Sequence, residues 1–170
     1  MNRRVLFVDD DEGVVRSLEL TLRKQPYETF SALSGNEGLD ILRKEGPGTF
    51  DVIISDMKMP NMDGAQFFAK AKELCPDSSR ILLTGHAEIN SCIAAVNEGR
   101  IFRFLTKPCS QDELYASIDA GIRQRELIQA ERVLLEKTLN GAIDALMQVM
   151  AVSKPLLFGR SRRVYTLAKD

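Results

Sequence analysis

Carboxylates in this 170-residue chain stand where apolar runs end. Asp9, Asp10 and Asp11 follow Val5-Leu6-Phe7-Val8, and Asp56 follows Val52-Ile53-Ile54-Ser55. Thr84 closes Ile81-Leu82-Leu83, and Thr106-Lys107-Pro108 closes the run from Phe102 to Leu105. Carboxylates gathered at one place repel one another and call for a cation. All-oxygen ligation suits Mg²⁺, which takes few protein ligands and keeps several waters. With the metal in place, one carboxylate can attack phosphorus, and aspartate is an established phosphoryl nucleophile. Lys107 would bring a positive charge to a phosphoryl oxygen, and Thr84 a hydroxyl donor. Metal and lysine together offset the charge that develops in phosphoryl transfer. Taken singly, each residue has a plainer role: an acidic helix start, a loop cap, a surface lysine. The joint pattern favours chemistry, because buried sheet edges do not collect charge without compensation.

The elements that must position these residues alternate along the chain. Val5 to Val8, Tyr27 to Leu33, Val52 to Ile54, Ile81 to Leu83 and Phe102 to Leu105 read as five short buried strands. Between them lie helical spacings through Val14, Leu18 and Leu22, through Leu39 and Leu42, from Phe67 to Leu74, and through Ile89, Ile93 and Val96 to Gly99. Ser34 with Glu37 and Ser110 with Glu113 are capping boxes that open helices. The alternation predicts an α/β fold: a parallel sheet covered by helices on both faces, with the ligand site at the carboxyl ends of the strands.

The last helix is predicted to run on from Gln111 to about Val152, with no proline. Leu135, Leu139, Ala142, Leu146 and Val149 keep the four-three spacing of a coiled-coil seam. Continued backwards, that register meets Ile128, Ile118 and Leu114, but also Arg132, Arg125 and Gly121, so the seam is good near its end and poor in its middle.

Composition sets the remaining bounds. Apolar residues make up 44% and the formal net charge is -1, so no global field draws the chain to nucleic acid or anionic lipid. No apolar run is long enough to span a bilayer, and Met1-Asn2-Arg3-Arg4 leads into a strand without a signal-peptide layout. Cys75, Cys92 and Cys109 form neither a disulfide framework nor a zinc pattern, which predicts free thiols in a reducing cytoplasm. His86, the only histidine, has no partner for a metal site and reads as a loop side chain.

The quoted strand ends, with Met59-Pro60-Asn61-Met62-Asp63-Gly64 and Thr84-Gly85, resemble the receiver domain of bacterial two-component response regulators over about residues 3 to 122. The resemblance implies a flavodoxin-like sheet of five parallel strands in the order 2-1-3-4-5. It implies that Asp56 is phosphorylated and that Asp10 binds Mg²⁺ directly. Asp9 would act through water, and the carbonyl of Lys58 would also bind the metal. Lys107 and Thr84 carry over as phosphoryl contacts, and the bond before Pro108 is expected to be cis. Phe104 falls at the family's aromatic switch position, turning as Thr84 moves; from composition alone it is an ordinary core or edge aromatic. Lys58 and His86 occupy positions that tune phosphoryl lifetime in such domains. The implied partners are a sensor histidine kinase or a phosphotransfer protein.

Residues 1–122 are expected to form this phosphoacceptor domain, 123–153 a signalling and dimerisation helix, and 154–170 a linker or the start of an output domain. Thr138 to Ile143 and Pro155 to Ser161 resemble the connector that precedes HD-type phosphohydrolase domains, although no His-Asp dyad follows. Any enzymatic output would then lie outside this chain. Arg160, Arg162 and Arg163 lack a helix-turn-helix or aromatic platform, so direct nucleic-acid binding is not expected. Competing readings are a phosphorylation-independent dimerising scaffold and an aspartyl-phosphate phosphohydrolase. The latter of the haloacid dehalogenase type needs an acid two residues past the nucleophile, where Lys58 stands. A flavin-binding module is disfavoured by the acidic strand ends, which would repel a cofactor phosphate.

Overall fold

The computed structural model describes residues 3–23, 25–85 and 101–153. Five strands are present: β1 (Arg3–Val8), β2 (Tyr27–Ala32), β3 (Val52–Asp56), β4 (Ser79–Thr84) and β5 (Arg103–Thr106). Four helices are described: α1 (Glu12–Leu22), α2 (Gly35–Glu45), α3 (Gly64–Leu74) and α4 (Gln111–Ser153). The expected helix through Ile89, Ile93 and Val96 lies outside the described residues, as do His86, Cys92 and everything from residue 154.

All strand pairs are parallel, and the sheet order is β2-β1-β3-β4-β5. This is the order implied by the resemblance. Strand side chains alternate between faces, and both faces are covered. Leu6, Val8, Ile53 and Leu82 pack with Leu39 and Leu42 of α2 and with Phe67 and Phe68 of α3. Val5, Phe7, Ile54 and Ile81 pack with Leu22 of α1 and with Leu114, Ile118 and Ile122 of α4. Each fully buried leucine or phenylalanine contributes about 1.5–3 kcal/mol of transfer free energy, so the two apolar layers hold the strand ends rigidly in place.

Local details refine the expected boundaries. In α1 the deeply buried positions are Val15 and Leu22; Val14 is only half-buried. At Ser34 one arm of the capping box is as expected, the hydroxyl accepting from Glu37 N at 3.3 Å. The Glu37 carboxylate reaches one residue further back and accepts from Leu33 N at 2.8 Å. Ser110 Oγ accepts from Glu113 N at 3.2 Å at the start of α4. β5 begins at Arg103, one residue later than expected.

The chain divides into two compact units, Met1–Ile128 and Gln129–Asp170. Within the first, Leu114, Ile118 and Gly121 of α4 face the sheet, and a Cβ at Gly121 would lie 3.1 Å from Val52 Cγ2. Their spacing therefore belongs to sheet packing, which is why the seam reads poorly there. Within the second unit, Leu135, Leu139, Leu146 and Val149 are each at least 63% exposed. No helix among the described residues is long and apolar enough to cross a membrane.

At the amino edge of the sheet, Tyr27 Oη donates to Asp119 Oδ1 at 2.6 Å. Burial, then the bonded Asp119 carboxylate, pushes the Tyr27 phenol up to about 12. The folded state thus holds the neutral phenol above its ordinary range near 10. The stability this contributes is complete below about pH 10 and is lost as pH rises through about 12. Urea unfolding across that window should show the native chain losing stability relative to Tyr27→Phe. Equal alkaline losses in the two proteins would exclude a raised Tyr27.

Candidate functional site

The carboxyl ends of β1, β3, β4 and β5 meet as expected, and they carry Asp9, Asp56, Thr84 and Lys107. Lys107 follows β5 directly and is tied down by its amide, which donates to Thr84 O at 2.8 Å. Its peptide bond to Pro108 is cis, as the resemblance implied. Its ammonium sits between two carboxylates, 2.7 Å from Asp9 Oδ2 and 2.5 Å from Asp56 Oδ1. Asp9 is 2% exposed and Asp56 8%, so both are held largely away from water. Asp9 Oδ1 accepts from Asp11 N at 3.0 Å, and Asp56 Oδ2 accepts from Lys58 N at 2.8 Å.

Electrostatics follow from this burial. Desolvation raises the Asp56 carboxyl above its ordinary value, against the opposing pull of the Lys107 ammonium. Desolvation also works against the Lys107 charge, but the hydrogen bonds and charges of Asp56 and Asp9 outweigh it and raise its pKa. The Asp56 carboxylate is therefore more basic than a solvated one while remaining paired with Lys107.

The acidic run divides by role. Asp11 is the N-cap of α1, accepting from Gly13 N at 2.8 Å and Val14 N at 3.3 Å, which is the plainer reading of a charge at a helix start. Asp9 belongs to the buried pair, and Asp10 is exposed beside it. The expectation of mutually repelling carboxylates is thus modified: Lys107 bridges Asp9 and Asp56, and Asp10 faces solvent. Thr84 is buried at the end of β4, opposite Thr106, and its hydroxyl donates to Gly85 O at 3.2 Å. Phe104 is 36% exposed on β5, so it is a surface aromatic and not part of the core.

One structural support is not among the capping boxes expected from sequence. Asp63 caps α3, accepting from Gln66 N at 2.7 Å, while Gln66 Oε1 accepts from Asp63 N at 3.3 Å. This is a full capping box, and the Asp-x-x-Gln pattern before Phe67 is the signal that marks it. The next residue, Gly64, presses against the end of β3: its amide donates to Met57 O at 2.9 Å. A Cβ there would collide with the Asp56 carbonyl and stand 2.7 Å from Leu82 Cδ1. The glycine lets the start of α3 close over the backbone of Asp56.

Among the described residues, no cluster of three or more His, Cys, Asp or Glu side chains is arranged to hold a metal ion. The donor set at this edge nevertheless fits a hard cation by type, being Asp9, Asp10 and Asp56 oxygens and the Lys58 carbonyl. Mg²⁺ needs only one or two carboxylates and fills its remaining positions with water, so a closed protein cage is not required.

The response regulator receiver domain model matches residues 5–119. The chain is 41% identical over 128 residues to the transcriptional regulatory protein GlrR of Escherichia coli (strain K12), covering 75% of this chain and 28% of that protein. It thus spans less than a third of that relative's length. Against sporulation initiation phosphotransferase F of Bacillus subtilis (strain 168) the identity is 33% over 114 residues, covering 67% of this chain and 89% of that one. A crystal structure described as that of adenylate cyclase from Rhodopirellula baltica superposes with a TM-score of 0.74 at 39% identity, covering 81% of this chain and 99% of that one.

Proposed function

This chain belongs to the response regulator receiver domain family, and on that premise we propose that it accepts a phosphoryl group on Asp56 in a Mg²⁺-dependent reaction. Membership gives it a response-regulator role in two-component phosphorelay signalling; the chemistry at Asp56 is our reading of the site. The observation that carries it is the Lys107 ammonium lying within 2.5–2.7 Å of two buried carboxylates, one of them Asp56.

In this reading a lone pair of the Asp56 carboxylate forms an O–P bond while the bond from phosphorus to the donor's leaving atom breaks. The leaving group departs with that electron pair. Asp10, Asp56 and the Lys58 carbonyl, with Asp9 acting through water, would hold Mg²⁺, which when bound would supply positive charge to offset the crowded oxygens. Lys107 exchanges its contact with Asp56 for one with a phosphoryl oxygen, and Thr84 turns its hydroxyl from Gly85 O toward another. The Lys58 amide keeps one Asp56 oxygen in place throughout. Phe104, exposed on β5, turns into the space that Thr84 leaves. The phosphoryl group adds charge and acceptors that bias this two-state element.

The donor is a sensor histidine kinase or a phosphotransfer protein. The state at Asp56 is passed through α4 to a second copy of the chain, docked along Leu135, Leu139, Ala142, Leu146 and Val149. The named relatives include a transcriptional regulator and an adenylate cyclase, so the receiver by itself does not specify the output. The HD-type connector rests on sequence resemblance alone, and much of it lies beyond residue 153.

Intact mass after incubation with acetyl phosphate tests the reading. One phosphoryl adduct is expected with Mg²⁺ and none without it. If neither acetyl phosphate nor a histidine kinase labels the chain, the phosphorylation-independent dimerising scaffold takes its place.

A further inference from the structure

Among the described residues, Ser55, Ser78, Ser79 and Ser117 are buried serines. Three of them make their bonds near the amino ends of strands, away from the acidic edge. Ser78 Oγ donates to Phe50 O at 2.7 Å and Ser79 Oγ to Gly121 O at 2.6 Å. Ser117 Oγ accepts from Arg103, the first residue of β5, at 3.2 Å. Ser55 differs. It stands inside β3, immediately before Asp56, and is fully buried. Its register neighbours are Val8 on β1 and Leu82 on β4, both buried and apolar. An apolar side chain would suit that position, and a buried hydroxyl is costly unless it is bonded. Ser55 Oγ donates to the carbonyl oxygen of Asp56 at 2.9 Å.

That carbonyl lies beneath Gly64, where a Cβ would collide with it. The N–H of the same peptide unit, on Met57, donates to Leu83 O at 2.8 Å. One rigid peptide plane is thus held at both ends, by Ser55 on its carbonyl and by β4 on its amide. The parts of the site depart from this plane. The Asp56 side chain springs from its first Cα. Met57 O accepts from Gly64 N at 2.9 Å, and Lys58 N, one peptide further on, donates to Asp56 Oδ2 at 2.8 Å. A turn of the plane therefore moves the Asp56 carboxylate and the Lys58 backbone relative to each other.

We propose that Ser55 is a positioning residue: its hydroxyl fixes the Asp56–Met57 peptide and so aims the Asp56 carboxylate for attack on phosphorus. The inference rests on the phosphorylation reading above. Without the hydroxyl, the Asp56 carbonyl stays under the start of α3 with that donor gone, which is unfavourable for a buried acceptor. The plane then tilts, and the nucleophile leaves its line of attack. A misplacement of about 1 Å can cost about a hundredfold in rate. Ser55 itself makes and breaks no covalent bond.

Ser55→Ala tests this in the full chain, beside Ser78→Ala as a matched loss of a buried serine-to-carbonyl bond at the far edge of the sheet. The rate of phosphoryl uptake from acetyl phosphate, at Mg²⁺ saturating for each protein, should fall at least about tenfold in Ser55→Ala and less than about twofold in Ser78→Ala. Urea unfolding should show similar losses of stability in the two. Ser55→Cys, which keeps a weak donor, should take up the phosphoryl group at a rate between those of the native chain and Ser55→Ala. Amide exchange at Lys58 needs neither metal nor donor. That hydrogen should exchange at least about tenfold faster in Ser55→Ala and at the native rate in Ser78→Ala. Native uptake by Ser55→Ala overturns the proposal. So does equal slowing in both alanine variants, which would make any lost buried bond sufficient. If neither acetyl phosphate nor a histidine kinase labels the native chain, the phosphorylation reading falls. Unchanged exchange at Lys58 in Ser55→Ala would then overturn the positioning role as well, and faster exchange would uphold it.

Discussion

Asp56→Asn is expected to take up no phosphoryl group from acetyl phosphate under conditions that label the native chain to near completion. The amide lacks the charged oxygen that forms the new bond, so the loss is of the reaction itself and not of a fraction of its rate. The fold should survive. Asparagine keeps the size of the side chain, its oxygen can still accept from Lys58 N, and Lys107 retains its 2.7 Å contact with Asp9. Desolvation of the Asp56 carboxylate, the largest influence on its pKa, is relieved by the same change. Urea unfolding should therefore place the variant within about 1 kcal/mol of the native chain, since the lost ion pair and the relieved burial oppose each other. A labelled Asp56→Asn would move the acceptor elsewhere, and Asp9 or Asp10 would be the next carboxylates to replace.

The second large effect is expected on the seam. Leu139 and Leu146 are 63% and 65% exposed in the isolated chain. Replacing both by lysine puts two charges on each helix where apolar side chains would otherwise leave water. Burial of a leucine contributes about 1.5–3 kcal/mol, and about 1.4 kcal/mol is tenfold in affinity. The double variant should therefore raise the dimer dissociation constant by more than about a hundredfold. Phosphoryl uptake at Asp56 should be unaffected, because both positions lie in the second compact unit and not in the one that holds the site. An unchanged dissociation constant would mean that copies associate through some other face.

Strand ends and seam differ in how far each can be read without a structure. Val5 to Val8, Val52 to Ile54 and Ile81 to Leu83 are continuous apolar runs because each is buried on both faces. Such runs mark themselves. Their alternation with helical spacing leaves a parallel sheet as the architecture, and the polar residues just past each run then fall at one edge. Asp9, Asp56, Thr84 and Lys107 are legible in this way, from order along the chain alone. Helix caps with a hydroxyl and a glutamate are equally visible. Asp63 with Gln66 makes both bonds of a capping box with other side chains, so a pattern restricted to serine and glutamate misses it.

Tertiary structure decided which member of each group does what. Composition treats Asp9, Asp10 and Asp11 alike. The fold buries the first against Lys107, exposes the second and spends the third on capping α1. A single residue step turns a side chain to another direction, and burial follows direction. The same reason explains Phe104, apolar by type yet exposed on β5. It also explains Arg125, which in sequence looks like a flaw in a coiled coil and in the fold pairs with Asp51. Periodicity records that a helix has an apolar stripe, but not whether a sheet or another helix covers it. Leu114, Ile118 and Ile122 face the sheet, whereas Ile128, Leu135, Leu139 and Leu146 of the stripe are exposed. Asp51 and Arg125 are 74 residues apart. Local sequence carries no signal for such a pair, because only chain folding brings the amino end of β3 against the last turns of α4 in the first unit.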